Sequence, residues 1–86
     1  MKILSIRQEG TATTGALLFV DIQTKGRFGD VEVTYQLGAT GAVILPAYIN
    51  GKEYSRKPSV EETALLAEAF KHFQEKGPTG AQGYAA

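Results

Sequence analysis

Val31, Val33, Tyr35 and Leu37 alternate with Glu32, Thr34 and Gln36. Side chains on a strand point to opposite faces in turn, so this pattern predicts a strand with one apolar and one wet face. Three further segments read the same way. In "KILSIRQ", Leu4 and Ile6 fall on one side, with Ser5 and Arg7 on the other. In "ALLFVDIQT", Leu18, Val20 and Ile22 share a face while Leu17 and Phe19 occupy the opposite one. That segment begins apolar on both faces, which predicts a central strand or one covered twice. "AVILPAYI" is a fourth strand, and its Pro46 has no amide to give a ladder, so an edge or a bulge is expected there.

Asn50-Gly51 is the strongest turn signal in the chain. A type I′ hairpin needs positive φ at both central residues, and these two types tolerate it best. The turn sets Ile49 opposite Lys52, Tyr48 opposite Glu53 and Ala47 opposite Tyr54, which predicts a short fifth strand, "KEYSR". "LGATGA" is a second glycine-bearing turn, and "GTATTG" (Gly10 to Gly15) reads as a loop.

Pro58 ends the strand pattern and Ser59 opens a helical one. Ser59 and Glu62 have the S-x-x-E spacing of a capping box. Leu66, Phe70 and Phe73 make an apolar stripe, flanked by Thr63 and Ala69, while Glu61, Glu68, Lys71, His72 and Glu75 lie away from it. Gly77-Pro78 is a stop signal. The expected fold is α+β, an antiparallel sheet of four to five strands in the order β-β-β-β-β-α, with one C-terminal helix packed on one face. Residues 1–76 form a single domain on this reading, and 77–86 a Gly-rich tail. Leu17 and Phe19 project opposite Leu18 and Val20, so one of these pairs needs cover beyond the single helix, and a homodimer or a bound partner is the expected cover.

Composition narrows the function more than the fold. At 86 residues the chain is one domain, and such a chain buries only about 60–65% of its unfolded surface. Nine basic and nine acidic residues cancel, which is unlike a strongly basic nucleic-acid binder. The absence of Cys removes disulfides, thiolate metal sites and Cys nucleophiles, and fits a cytoplasmic protein. "MKILSIRQEG" is too short an apolar stretch for a signal peptide, and "GAVILPAYI" is about half a membrane span, so no membrane association is expected.

Candidate chemistry is sparse. His72 is the one histidine and lies on the helix face predicted to be exposed. A pair such as Asp21 and Glu32 could meet across two strands only at the expense of like-charge repulsion. Neither "GTATTG" nor "TKGRFGD" has the ending of a phosphate loop. No catalytic residues, cofactor or metal are therefore expected.

The candidates that remain are for binding. Lys25, Arg27 and Phe28 cluster in "TKGRFGD", expected as a loop that presents them outward. Lys52 and Arg56 cluster with Tyr48, Tyr54 and the nearby Lys57. Aromatic residues interleaved with cations suit a protein interface and equally a single-strand nucleic-acid surface. The leading expectation is a small non-catalytic protein-binding module. In size and type it is comparable to phage and mobile-element accessory proteins, which include inhibitors that cover another protein's surface.

Two alternatives accompany it. Four strands followed by a helix resembles the element order of the whirly and related coactivator-type single-strand binders, which dimerise through the helix; the fifth strand and the zero net charge depart from that pattern. Gly77, Gly80 and Gly83 also resemble the Gly-X-Y pattern of collagen-like segments found in phage fibre proteins, which would suit a virion or tail component.

Overall fold

The structure is a computed structural model and describes residues 1–8 and 15–77. The expected loop at Gly10 to Gly15 and the expected tail, apart from Gly15 and Gly77, lie outside the described residues. Five strands, β1 (Lys2–Gln8), β2 (Leu18–Gly26), β3 (Gly29–Leu37), β4 (Val43–Ile49) and β5 (Lys52–Tyr54), precede one helix, α1 (Val60–Lys76). The strands form one antiparallel meander in the order β1-β2-β3-β4-β5, and the helix packs on one face. The fold is α+β, as the alternation predicts.

The helix side of the sheet carries the core. Leu18, Val20 and Ile22 pair with Leu37, Tyr35 and Val33, and all six are fully buried. Leu66 and Ala69 of α1 close over them, with Leu65, Phe70 and Phe73 packed at the margin. Two expectations about the helix change. Thr63 is exposed and plays no part in the stripe, and His72 is half-buried rather than exposed.

The first strand also departs from simple alternation. Ile3 pairs with Ile22 but Ser5 pairs with Asp21, so Leu4 is an extra residue in β1. A bulge of one residue inverts the face of everything beyond it. Ile3 and Ile6 therefore share the core, not Leu4 and Ile6. A second irregularity lies where Pro46 predicts it. Between Thr34 and Gln36 of β3, the partner positions on β4 run from Tyr48 to Ile44, so β4 carries surplus residues around Pro46. β5 pairs only with Ala47 to Ile49, which leaves the earlier half of β4 as a free edge. Gln36, expected to be solvated, is buried here, and its Nε2 donates to the Pro46 carbonyl at 2.7 Å.

The turns follow the sequence closely. Asn50 (φ 54°) and Gly51 (φ 78°) make the predicted hairpin, with the register Ile49–Lys52, Tyr48–Glu53 and Ala47–Tyr54. β5 ends at Tyr54, two residues short of the "KEYSR" expectation. Ser59 accepts from the Glu62 amide and the Glu62 side chain accepts from the Ser59 amide, which completes the capping box. Gly77 closes the helix with its amide on the Phe73 carbonyl. Among the described residues no helix is long and apolar enough to cross a membrane.

Candidate functional site

α1 is the only helix among the described residues, and it cannot cover five strands. Its diameter with side chains is about 10–12 Å, whereas five strands span about 19 Å between the outermost two. The backbone of α1 neighbours β1 and β2. Leu66 and Ala69 reach the core over β3, and a groove of about 310 Å³ opens beyond them beside the β2–β3 tip. Val31 and Ile49 supply its apolar surface, with Arg27, Phe28, Asp30 and Arg56 around them.

"TKGRFGD" borders this groove but is mostly not loop. Thr24 and Lys25 pair with Val31 and Asp30, and Gly26 pairs with Gly29, so the turn itself is only Arg27 and Phe28. Phe28 is 95% exposed, and the Arg27 guanidinium lies 5.7 Å from its ring centroid. Lys25 pairs with Asp30 at 3.1 Å on the surface. Gly29 (φ 124°) takes the backbone conformation that lets so short a turn close.

The other candidates divide between the two sheet faces. Lys52 and Tyr54 pair with Ile49 and Ala47, so both belong to the groove side, and both are exposed. Tyr48 pairs with Thr34 and belongs to the opposite face. Arg56 reaches the groove, but its guanidinium is held from behind. Its Nη2 donates to Glu62 Oε2 at 2.8 Å and its Nε to the Tyr35 hydroxyl at 3.0 Å.

Glu62 is the centre of that buried cluster and is 2% exposed. Its carboxylate also accepts from Thr24 Oγ1 at 2.6 Å and from the Tyr35 hydroxyl at 2.8 Å. Burial by itself would raise the Glu62 pKa. Hydrogen bonds from Thr24, Tyr35, the Ser59 amide and Arg56 outweigh it and hold the carboxyl below its ordinary value. Tyr35 is pushed up to about 12, chiefly by burial and then by its hydrogen bond to Glu62. The Tyr35 hydrogen bond raises Arg56 above its ordinary value; burial opposes this, and the Glu62 hydrogen bond adds to it. The cluster fixes the first turn of α1 to β2 and β3. Sequence reasoning found Glu62 as a cap but not as a buried hub, because a cap residue is ordinarily solvated.

The open face of the sheet holds a second arrangement that sequence reasoning missed. Asp21 accepts from Ser5 and Thr34 of the flanking strands and from Arg7 at 3.2 and 3.1 Å. Arg7 lies 5.7 Å from the centroid of Phe19, and Phe19 stacks with Tyr48 at 6.3 Å between centroids. Arg7, Phe19, Thr34, Tyr48 and Gly51 line a shallow depression of about 260 Å³. The signal was present in the alternation, since Phe19 and Asp21 share a face with Thr34 and Tyr48 once the register is known. Asp21 and Glu32 do not meet, because Asp21 faces Thr34 and Glu32 faces Gln23.

Among the described residues no group of three His, Cys, Asp or Glu side chains could hold a metal ion. No protein-family model, curated protein or solved structure matches this chain.

Proposed function

We propose that the protein is a non-catalytic binding module that covers part of a partner protein's surface with the β2–β3 tip and the groove beside it. The observation that carries this reading is Phe28. A large aromatic ring stands almost wholly in water on a two-residue turn. In the free chain that exposure earns nothing. Burying the ring in a partner's pocket would contribute roughly 2–3 kcal/mol. The turn is short and its strands are fully paired, so little order is lost on binding.

Charge describes the partner. Asp30 is neutralised by Lys25, and Glu62 by Arg56. Arg27 remains at the tip, with Lys52 exposed on the same side of the sheet. An acidic protein surface with an apolar socket complements this arrangement. The groove brings together arginines, a phenylalanine, aliphatic side chains and one paired carboxylate, a set suited to docking rather than to proton transfer.

The test is quantitative binding to a partner isolated from the source cell. Arg27→Ala with Phe28→Ala is expected to keep the wild-type melting temperature, since neither side chain packs inside the fold. Affinity should fall by about 2 kcal/mol or more, roughly thirtyfold. Unchanged affinity would remove the tip from the interface. If a single-stranded oligonucleotide binds instead, with a log–log salt slope near –0.7 per neutralised phosphate, the nucleic-acid alternative replaces this reading.

A further inference from the structure

We infer that Arg56 is the specificity-determining residue of the groove: it receives the carboxylate of an Asp or Glu side chain on the partner, while an aliphatic neighbour of that acid sits on Val31 and Ile49. The inference rests on the reading of tip and groove as a partner-binding surface, and names the chemistry that the groove selects.

The buried cluster presents the Arg56 guanidinium by one side. A guanidinium carries five N–H groups in a fixed plane. Nε and one N–H of Nη2 make up one side of that plane, and the cluster takes it. Nε donates to the Tyr35 hydroxyl at 3.0 Å and Nη2 to Glu62 Oε2 at 2.8 Å. The end of the plane, Nη1 with the second N–H of Nη2, is directed away from the cluster. Arg56 lines the groove and its side chain is 32% exposed, so this end meets solvent there. A carboxylate matches it with two parallel hydrogen bonds. Glu62 and Tyr35 fix the plane beforehand, so little order is lost when a partner binds to it.

The pairing with Glu62 leaves room for a second anion. The Glu62 carboxylate accepts from Thr24, Tyr35 and the Ser59 amide as well as from Arg56, which spreads its charge over four donors. Asp30 is matched by Lys25 at 3.1 Å. Arg27 at the lip and Lys52 on the same side of the sheet are then in excess, so this end of the molecule is positive. A side-chain carboxylate suits the site better than a chain terminus. Termini are ordinarily captured by nests of backbone amides, whereas the strands beside the groove are paired up to Gly26 and Gly29.

An NMR titration of the isotope-labelled full chain tests this with the blocked dipeptide acetyl-leucyl-glutamyl amide. The peptide should shift the Arg56 Nε–H signal and the Val31 and Ile49 amides, and should saturate at about millimolar concentration, as expected of so small a ligand. The glutaminyl analogue should bind about tenfold more weakly or worse, because it loses the charge-assisted pair. Arg27→Ala with Phe28→Ala should bind the glutamyl peptide within about threefold of wild type, since neither side chain supplies the receiving N–H groups. Equal binding of the two peptides, shifts confined to other residues, or loss of glutamyl binding in the double variant would each overturn the inference. So would tighter binding of acetyl-glutaminyl-leucine with its free C-terminal carboxylate, which would make the ligand a chain terminus. The tip is judged separately. If the double variant loses the isolated partner while the peptides fail to bind, the docking surface stands and the role of Arg56 falls.

Discussion

Glu62 closes the capping box with one carboxylate oxygen and holds Thr24 and Arg56 with the other. Both roles depend on its being ionised and in place. Removing one partner of a buried pair leaves the other charge uncompensated, so Glu62→Ala should lose about 3 kcal/mol or more of stability, measured by denaturant unfolding. The cluster also predicts pH dependence at both ends. The Glu62 pKa is lowered on folding, so its contribution is complete above the unfolded carboxyl value of about 4.3. It is lost as pH falls through the folded value. The Tyr35 pKa is raised to about 12. Its contribution is complete below the unfolded value of about 10 and disappears as pH climbs from there through the folded value. Tyr35→Phe should flatten the part of the alkaline loss that belongs to this hydroxyl. An alkaline stability profile identical in the variant and the wild type would show that Tyr35 does not titrate with folding.

At the scale of elements, the placement of α1 rests on a glycine in the β3–β4 turn. Gly41 has φ 86°, and a Cβ there would sit 2.8 Å from the Phe70 ring. The ring is seated against bare backbone, which fixes the far half of the helix as Glu62 fixes the near half. Gly41→Ala should destabilise by about 2–3 kcal/mol through clash plus backbone strain. Gly51 is the control, because it has φ 78° but open space around the same position. Gly51→Ala should lose only about 1 kcal/mol, from conformation alone. Equal losses in the two variants would mean that the Phe70 contact contributes nothing.

Across the whole molecule, a single helix on a five-stranded sheet leaves two surfaces unlike each other. One is the groove with Phe28 and Arg27 at its lip. The other is the open face with Phe19 and Tyr48 at its middle. Stability should be distributed accordingly. β2 and β3 pair along their full length and contain most of the core, whereas β5 is three exposed residues. Hydrogen exchange should therefore be slowest in the inter-strand amides of Leu18 to Ile22 and Val33 to Leu37, and should approach the global unfolding rate there. Lys52 to Tyr54 should exchange much faster. Uniform protection across all five strands would contradict this distribution.

Local pattern is enough for the elements, their order and the Asn50-Gly51 register. Alternation, turn residues and the capping box are local features, and each acts over a few positions. It also placed Leu66 in the core and foresaw the disturbance at Pro46. The tertiary structure decided what local pattern cannot carry. The bulge at Leu4 depends on how β1 meets β2, and it transferred Ile3 to the core. "TKGRFGD" is a tight turn because Thr24, Lys25 and Gly26 pair across to Val31, Asp30 and Gly29, which leaves only Arg27 and Phe28 to connect the strands. Arg56 and Tyr48, neighbours in composition, were parted because one is held behind the groove and the other lies on the opposite sheet face. Which side chains converge on a surface is set by strand register and helix position, and these are fixed only when distant segments pack together.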